Sequence, residues 1–471
     1  MNACVIAQPI TVLGKLGDLY AAAQVHRMII IVRSGDEDEA AHYVGAAARR
    51  LGGAVVALPP PPRSVPPAVG RSYQVYAWLK AHESRCQLVQ FPDREGIGYF
   101  SISAKRTGVA FANVTMIVHA HAPILWTAWV VERRHLNTID ELDTMHMEQE
   151  CIAHCDVLVV TSTLLAWLRR TRWDTPLRVV VPVGRMVATR ELWEGAQPSP
   201  RPPKRPPPTI TVVIATFNPR KALLMAALRS LAQQSYPRNL FTVVVVDDCS
   251  DDRHSVRALA AAWKWMDRLQ WTHIRTVRNL FVGEARNVGA QAARGEFVLF
   301  MDDDNVAKRD ELEVFARAVQ STNASILTCP VDIFVGIPNP TARTRVVNWL
   351  PLANVHTAAF RNSLGDTNFL IRRSTFESLG GFHTDRVIYE DWEFLTRAAL
   401  SGVPPLLVPV ALVWKRHVQR QGMMTTANAS SRFDGEVQAF RPFVKRLGWG
   451  VAAPILLAKG FIEGVKNLQP T

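Results

Sequence analysis

The stretch that most constrains the fold of this chain is Phe297-Val-Leu-Phe-Met-Asp-Asp-Asp-Asn305, in which five apolar residues lead into three carboxylates. An unbroken apolar run of this length is typical of a strand buried on both faces, as in parallel sheets covered by helices. Aspartate is a poor strand former, so we expect the strand to end where the acids begin. Asp302, Asp303 and Asp304 are therefore predicted at the carboxyl edge of a sheet, where open α/β sheets bind ligands.

Three adjacent carboxylates have two interpretations. They cannot all stay ionised at low cost unless a cation shares them, and carboxylate oxygens suit Mg²⁺ or Mn²⁺, ions that usually bring phosphates with them. A solvated acidic turn is the alternative, because acidic loops are common. The rest of the chain has to decide between a metal–phosphate site and a surface turn.

Composition restricts the classes of protein to consider. A length of 471 residues predicts two or three domains, each able to bury its own core. No apolar run is long enough to cross a bilayer and the N-terminus does not resemble a signal peptide, so we expect a cytoplasmic protein. Six scattered cysteines favour free thiols. The net charge of +13 favours an anionic partner: nucleotide phosphates, nucleic acid or an acidic membrane surface.

Changes in composition divide the chain into four parts. Residues 1–195 alternate short apolar runs with helix-like segments, which indicates βαβ units and a parallel sheet. Residues 196–208 are a proline-rich linker, with an SH3-type ligand as the alternative. Residues 209–440 form a second α/β domain. The tail, 441–471, mixes apolar and basic residues, which fits either a helix at a membrane surface or packing against the second domain.

The second domain opens with a βαβαβ pattern. Apolar runs at 209–215 and 242–246 predict buried strands, and Asn218 as N-cap with Pro219 predicts the start of the first helix. The second strand leads into Asp247-Asp-Cys-Ser-Asp-Asp252, so acids follow two strands of one sheet. Because the carboxyl ends of parallel strands share one edge, the pattern favours the metal–phosphate interpretation over the acidic turn.

Two groups of residues in the first domain carry ligand-binding side chains. His119 and His121 alternate on a predicted strand and face one side of the sheet, either to recognise a substrate hydroxyl or as hydrogen-bonded histidines at a strand end. The metal-binding residue types in the segment 146–155 match neither usual zinc spacing, and the segment predicts a helix. A structural role is favoured for both groups.

Residues 209 to about 420 resemble the inverting family 2 glycosyltransferases, which have the GT-A fold. The resemblance rests on six spaced motifs: Val213-Ile-Ala-Thr-Phe-Asn218, Val246-Asp-Asp-Cys-Ser-Asp-Asp252, Gly283-Glu-Ala-Arg-Asn-Val-Gly289, Asp302-Asp-Asp304, Gly380-Gly-Phe382 and Tyr389-Glu-Asp-Trp392. It implies an α/β domain that moves a sugar from a nucleoside-diphosphate sugar, with a UDP-sugar as the first choice, to a hydroxyl of a glycan, lipid-linked or other acceptor.

The resemblance also implies roles on the donor side of the site. The nucleotide sugar is bound by Thr216, Asp247, Asp248, Arg286, Asp302 and Asp303. Asp248 has a turn cap as its alternative role, and Arg286 has that of a surface arginine. Asp302 and Asp304, with His417, ligate Mn²⁺ or Mg²⁺, which neutralises the diphosphate leaving group. His417 has a position in a basic loop as its alternative.

On the acceptor side, the resemblance implies that Asp391 of the pair Glu390-Asp391 is the general base that takes the proton from the acceptor hydroxyl. An acid-rich helix start is the alternative for this catalytic pair. Trp392 either stacks on a sugar ring or lies in the core, and Asp366 either reaches the acceptor or stabilises a turn.

Residues of about 10–185 are similar to the N-terminal half of GT-B-type glycosyltransferases of the family 4 type. The similarity rests on four segments: Gly14-Lys-Leu-Gly-Asp18, 90–106, Ile117-Val-His-Ala-His-Ala-Pro123 and 141–162. It implies a Rossmann-like first domain. The C-terminal half of the GT-B fold, which holds the sugar nucleotide, has no counterpart in the sequence, so we expect this domain to bind the acceptor or a partner.

Other functions fit the sequence less well. A catalytically silent glycan- or nucleotide-binding scaffold would tolerate loss of the site acids, and all of them are present. A nucleotidyltransferase more typically opens with a glycine-rich basic loop, which Thr216-Phe-Asn-Pro219 is not. No nucleic-acid recognition motif accompanies the positive charge, so no nucleic-acid partner is expected. The sequence therefore predicts an inverting glycosyltransferase, soluble or peripheral to a membrane.

Overall fold

The computed structural model describes residues 2–6, 27–33, 54–62, 65–176, 179–182, 205–336, 339–341, 344–384, 389–417 and 440–446. The chain divides into two compact units, Met1–Pro203 and Lys204–Thr471. The glycine-rich segment 14–18, most of the linker 196–208 and the tail beyond residue 446 lie outside the described residues.

The first unit contains a seven-stranded parallel sheet in the order β3-β2-β1-β4-β5-β6-β7. Its strands are β1 Asn2–Ile6, β2 Arg27–Arg33, β3 Ala54–Leu58, β4 Leu88–Pro92, β5 Thr115–Ala120, β6 Val157–Val160 and β7 Val179–Pro182. The strand order reverses between β1 and β4, as in doubly wound nucleotide-binding folds. The parallel α/β prediction is confirmed. The similarity to GT-B enzymes stays a prediction.

Strands β1 and β4 do not stand out as strands in the sequence. Each has only five residues, and β4 contains Gln90 and ends in Pro92, so neither gives a long apolar run. Both lie between parallel neighbours in the sheet, and that tertiary context determines their conformation.

The helices of the first unit are α1 Pro67–Ala81, α2 Tyr99–Arg106, α3 Ile124–Trp126, α4 Ile139–His154 and α5 Ser162–Arg170. Helix α4 contains the segment for which the sequence predicted a helix rather than a zinc site. Thr138 caps it by accepting a hydrogen bond from the Glu141 amide at 3.1 Å. Cys151 is buried as a free thiol, which fits a packing role.

The histidines of the first unit have hydrogen-bonded or loop positions. The His119 ring lies 2.8 Å from the Gln90 side-chain oxygen, and burial lowers its pKa to about 4. His121 follows β5, and its ring stacks near that of His119, with centroids 6.2 Å apart. The neutral, buried His119 agrees with the hydrogen-bonded alternative.

Two buried carboxylates hold the loops at the carboxyl edge of the first sheet. Asp93 accepts hydrogen bonds from the amides of His121 and Ala122, each at 2.9 Å. Glu148 accepts from the Glu95 amide at 3.0 Å and from the Ile124 amide at 2.6 Å. Burial raises the pKa of both carboxyls. Their contacts are with main-chain amides, so they fix loop conformation.

The second unit contains a seven-stranded mixed sheet in the order β10-β9-β8-β11-β16-β13-β17 and a four-stranded sheet in the order β12-β18-β14-β15. The strands are β8 Ile210–Thr216, β9 Phe241–Asp247, β10 Thr272–Arg275, β11 Phe297–Asp302, β12 Val306–Ala307, β13 Ile326–Thr328, β14 Val331–Val335, β15 Val346–Trp349, β16 Leu370–Arg372, β17 Leu406–Leu407 and β18 Val413–His417. The helices are α6 Lys221–Ala232, α7 Arg253–Asp267, α8 Val282–Gln291, α9 Glu311–Thr322, α10 Arg373–Ser378 and α11 Glu390–Leu400.

Strand β11 confirms the prediction from its apolar run. Residues 297–301 are fully buried, the strand ends at Asp302, and β8 lies parallel beside it. Helix α8 packs closely on the sheet at Gly289, which has no side chain. A Cβ there would lie only 2.4 Å from a methyl carbon of Val213. The carboxyl ends of β8, β9 and β11 therefore meet at one edge, with the start of α8 above them.

The start of α6 differs from the prediction. The helix begins at Lys221 with Arg220 as N-cap, whereas Asn218 has a left-handed conformation with φ of 48°. The Asn218 side chain instead accepts from the amides of Asp251 and Asp252 at 3.1 and 3.0 Å. The predicted cap is wrong because this side chain ties together the loops after β8 and β9.

The structure also bears on the predictions for the cysteines, the tail and membrane-spanning segments. Cys86 is disulfide-bonded, so free thiols were wrongly expected there, because sequence spacing does not show which cysteines approach in the fold. Phe440 and Phe443 are buried in the core of the second unit, which supports packing for residues 441–446 of the tail. Within the described ranges, no helix is long and apolar enough to span a bilayer.

Candidate functional site

The three acids after β11 have different partners. Asp302 accepts from the Arg286 guanidinium at 2.7 Å, and Asp303 accepts from the Thr216 hydroxyl at the end of β8. The Asp304 carboxylate receives no hydrogen bond from the residues that the structure describes. Asp302 is thus bound by α8 and Asp303 by the end of β8, whereas the Asp304 carboxylate remains available to a ligand.

Burial raises the pKa values of two carboxyls at this edge of the sheet. It raises the pKa of Asp303 to about 6, against the opposing effect of the Thr216 hydrogen bond. Burial, together with the neighbouring carboxylates of Asp303 and Asp302, raises the pKa of Asp304 to about 7. Clustered carboxyls with raised pKa values are the condition under which a bound cation restores ionisation.

Arg286 lies between two carboxylates. It projects from α8, is 4% exposed, and forms ion pairs with Asp302 and with Glu390 at the start of α11. The surface-arginine alternative is therefore wrong, because the start of α8 packs closely against Phe382 and His383 at Gly283. The guanidinium joins the acids after β11 to the start of α11, and no described residue accepts from its buried Nε.

A side-chain amide fixes α8 to the Gly380-Gly-Phe382 loop. Asn287 donates to the Phe382 carbonyl at 2.9 Å and accepts from the Phe382 amide at 2.8 Å. Gly381 has φ of 69°, and a Cβ there would lie 2.6 Å from the Asn287 side-chain oxygen. The glycine is required both for its conformation and for the close approach of this amide.

We expect Gly381→Ala to destabilise the protein more than Gly380→Ala. Both glycines have positive φ, so each substitution costs about 1–2 kcal/mol in backbone strain. A Cβ at Gly380 meets nothing within 4 Å, whereas one at Gly381 displaces the Asn287 amide and adds about 1 kcal/mol or more. Urea unfolding of the two variants measures the difference. Equal losses would show that the Asn287 contact contributes nothing.

Asp391 occupies the buried start of α11. It follows Tyr389, which has a left-handed conformation with φ of 70°, and Glu390. The Asp391 carboxylate is 9% exposed and accepts from the Thr367 hydroxyl at 3.2 Å. Burial, together with the carboxylates of Glu390 and Asp366, raises its pKa to about 7. This carboxylate can therefore exchange a proton near neutral pH.

Trp392 lies in the core beside Asp391. It is 6% exposed, and its indole N–H donates to the Ala358 carbonyl at 2.8 Å. These contacts agree with the core alternative rather than with an aromatic face open to a sugar.

Asp366 and Lys415 form an ion pair next to Asp391. The Lys415 ammonium, from β18, donates to Oδ1 of Asp366. The Asp366 side chain is 9% exposed, and its Oδ2 is buried with no hydrogen-bond partner among the described residues. Lys415 also lowers the pKa of Asp304 and of Asp391, so its charge acts on both sides of the site.

The acids after β9 are bound to the protein itself. Asp247 is fully buried, pairs with Arg275 at 2.9 Å and accepts from the Ser250 amide at 3.0 Å. Asp248 accepts from the amides of Leu280 and Phe281 at 2.7 and 2.8 Å, which agrees with the turn-cap alternative. These two acids shape the edge of the site through the loops they hold.

Sequence reasoning missed four residues of this edge: Phe217, Arg275, Thr367 and Lys415. Phe217 is a large apolar side chain that is 49% exposed directly after β8, and its position beside Thr216 was a usable signal. The other three contact site acids from distant segments, so no local pattern identifies them.

A cleft of about 620 Å³ lies beside Asn218, between the starts of α6 and α7. Its basic lining residues are Arg220, Lys221, His254 and Arg257. The acid in the lining, Asp252, is engaged in capping α7 through the Ser255 amide at 2.8 Å. This part of the edge therefore has the positive charge that suits an anion.

The predicted metal-ligand set is not assembled by the protein alone. Among the residues that the structure describes, no three His, Cys, Asp or Glu side chains are placed to hold one metal ion. Asp302 is engaged by Arg286, and His417 lies exposed at the end of β18. The assignment of Asp302, Asp304 and His417 as ligands of one metal ion stays a prediction.

Comparison with known proteins finds relatives for the segment that carries the acids after β9 and β11. Residues 211–380 match the glycosyl transferase family 2 model. An uncharacterized glycosyltransferase of Haemophilus influenzae is 27% identical over 189 residues, which cover 40% of this chain and 61% of that protein. The poly(ribitol-phosphate) β-N-acetylglucosaminyltransferase TarS of Staphylococcus aureus is 34% identical over 118 residues, 25% of this chain and 20% of TarS. The prediction of a glycosyltransferase family 2 domain is confirmed.

A solved structure of TarS residues 1–349 in complex with UDP-GlcNAc is also similar. Its TM-score is 0.41 at 22% identity, and the match covers 53% of this chain and 70% of that structure. The chain thus spans about three fifths of the length of one curated relative and one fifth of the other.

Proposed function

We propose that this protein transfers a sugar from a nucleoside-diphosphate sugar to an acceptor hydroxyl, with inversion at the anomeric carbon. The observation that carries the proposal is Asp391, a buried carboxyl at the start of α11 with a pKa of about 7. It follows the segment 211–380 that matches the glycosyl transferase family 2 model, and Arg286 joins the neighbouring Glu390 to the acids after β11. A general base works best when its pKa lies near the working pH.

Asp391 would act on the acceptor in a single displacement. Its carboxylate takes the proton from the acceptor hydroxyl while the hydroxyl oxygen forms a bond to the anomeric carbon. The bond from that carbon to the diphosphate breaks on the opposite face, and the leaving diphosphate keeps the electron pair. One carboxylate is sufficient, since no covalent intermediate forms. The Thr367 hydroxyl holds the base in position from the adjacent loop.

The donor side is proposed to consist of the ends of β8, β9 and β11. Thr216, with the exposed ring of Phe217 beside it, lies where a nucleotide base would bind. Asp247 and Asp248 hold the loops around it, and Arg286 keeps Asp302 in place. A UDP-sugar is the first donor to test, because the family resemblance implies it.

A divalent ion fits Asp304. Its carboxylate receives no hydrogen bond from a described residue, and burial with the neighbouring acids raises its pKa to about 7, so hard-ion chemistry suits the site. Mg²⁺ and Mn²⁺ are commonly held by one or two carboxylates together with substrate phosphates and water, so a protein-only cluster is not required. When bound, the ion would neutralise the charge of the diphosphate.

We expect kcat/KM to rise with pH through about 7 and then to level off. The base must be unprotonated to accept a proton, and burial places the pKa of Asp391 at about 7. Activity is therefore lost below that value and retained above it. Rates measured from pH 5 to 9 at saturating Mn²⁺ test this, because bound metal keeps Asp304 ionised. A flat profile would contradict the assignment of Asp391.

The proposal is tested by release of nucleoside diphosphate from a panel of sugar nucleotides, with Mn²⁺, Mg²⁺ or EDTA. Turnover of one donor that requires metal supports the transferase and names the donor. Donor binding in calorimetry without turnover on any acceptor would favour the silent glycan- or nucleotide-binding scaffold. Absence of binding across the panel would refute both.

A further inference from the structure

The loop Gly365–Asn368 contains Asp366 and contacts Asp391 through the next residue, Thr367. Asp366 and Thr367 are consecutive, and the Thr367 hydroxyl donates to Asp391 at 3.2 Å. The Asp366 carboxylate is close enough to the proposed base for its charge to contribute to the raised pKa of Asp391, after burial and Glu390. One of its oxygens pairs with Lys415, and the other is buried without a partner among the described residues.

A second Lys–Asp pair at the same small sheet differs from this one, because both of its carboxylate oxygens have hydrogen-bond partners. Asp332, on β14, pairs with Lys308 through one oxygen and accepts from the Asn348 amide through the other. Asp332 pairs in register with Trp414, whereas Lys415 is the next residue of β18 and projects to the other face. On one face of the sheet, both carboxylate oxygens of Asp332 thus have hydrogen-bond partners. On the other face, Oδ2 of Asp366 has none among the described residues.

An incomplete buried carboxylate indicates a ligand. A buried acceptor that lacks a donor is unfavourable, and more so when it is charged. A hydroxyl is suited to the position, because it can donate to Oδ2 of Asp366 and accept from the Lys415 ammonium at the same time.

We propose that Asp366 and Lys415 bind a second hydroxyl of the acceptor, next to the hydroxyl that is glycosylated. This inference rests on the proposed function, and it defines the acceptor as a sugar or polyol with neighbouring hydroxyls. A lone alcohol, such as a serine side chain or a fatty alcohol, would leave Oδ2 of Asp366 without a donor. Asp366 and Lys415 are then specificity-determining residues for the acceptor.

The test compares acceptors that differ by one hydroxyl. Methyl glucoside, methyl galactoside and ribitol are each assayed with their monodeoxy analogues, using the donor found in the panel. For the wild type, we expect one deoxy analogue to lower kcat/KM by about 10- to 100-fold, the effect of losing a hydrogen bond to a charged group. In Asp366→Ala this preference disappears, and in Asp366→Asn, which keeps the shape of the side chain, it is reduced.

Asp332→Ala is the matched control, since it removes a paired aspartate from the opposite face of the same sheet. It should keep the full preference for the parent acceptor. Calorimetric donor affinity, measured for each variant, reports whether the domain is folded. Equal use of parent and deoxy acceptors by the wild type overturns the inference alone, as does an unchanged preference in a donor-binding Asp366→Ala variant. Absence of turnover with every acceptor overturns it together with the proposed function.

Discussion

Replacing Asp391 with asparagine is expected to lower kcat by about 10²–10⁴-fold, the usual contribution of a general base. Asparagine has nearly the same shape and still accepts the Thr367 hydrogen bond, but it cannot take a proton at neutral pH. Affinity for the nucleotide sugar should remain, because the carboxylates of the donor edge are unchanged. Steady-state rates and calorimetric donor affinity together measure this separation.

The control for that substitution is Asp310→Asn, at an exposed aspartate that precedes α9 and lies outside the site. We expect its kcat to stay within about twofold of wild type, as surface changes usually leave function and stability intact. A wild-type kcat in Asp391→Asn would show that another group accepts the proton. The base would then have to be sought elsewhere at the same edge.

Replacing Arg286 with methionine is expected to lower the free energy of unfolding by about 3–5 kcal/mol, the usual effect of removing one partner of a buried ion pair. The side chains of Arg286 and Glu390 are 5% and 10% exposed, so water cannot readily take over the lost contacts. Asp302 and Glu390 would both lose their cation. Urea unfolding monitored by circular dichroism measures the loss.

The matched comparison for Arg286→Met is Arg317→Met. Arg317 pairs with Glu313 one turn away on α9, and both side chains are 45% exposed. Such exposed pairs contribute about 0.5 kcal/mol or less, so the second variant should unfold almost as the wild type does. Similar losses in the two variants would mean that the ion pairs of Arg286 contribute no more than a surface pair.

The sequence predicts the central architecture well where a strong local pattern exists. The apolar run before Asp302 predicted a buried strand and its end, and the acid-rich segment from Asp247 predicted the neighbouring strand end. Parallel alignment then brings these ends to one edge, which needs no knowledge of side-chain contacts. Element boundaries were less certain, as the start of α6 shows.

Contacts between distant segments are not predictable from such patterns. Lys415 follows Asp366 by 49 residues, and Glu390 follows Arg286 by 104, so only the completed fold brings them together. The small sheet has short strands with mixed burial, which give weak signals individually. For Trp392, burial depends on the packing around the start of α11, which its own motif does not show.

Strand β12 has a mechanical consequence for the whole edge. It begins two residues after Asp304 and pairs antiparallel with the strand that carries Lys415. Arg416, 1% exposed, donates from its side chain to the Asp304 carbonyl at 3.1 Å and from its amide to the Asn305 side chain at 3.3 Å. These contacts hold the loop that contains Asp304 and the strand β18, which contains Lys415, together as one rigid unit. We expect the loop and the strand to move together. Any opening or closing of the site would then depend on movement of other segments.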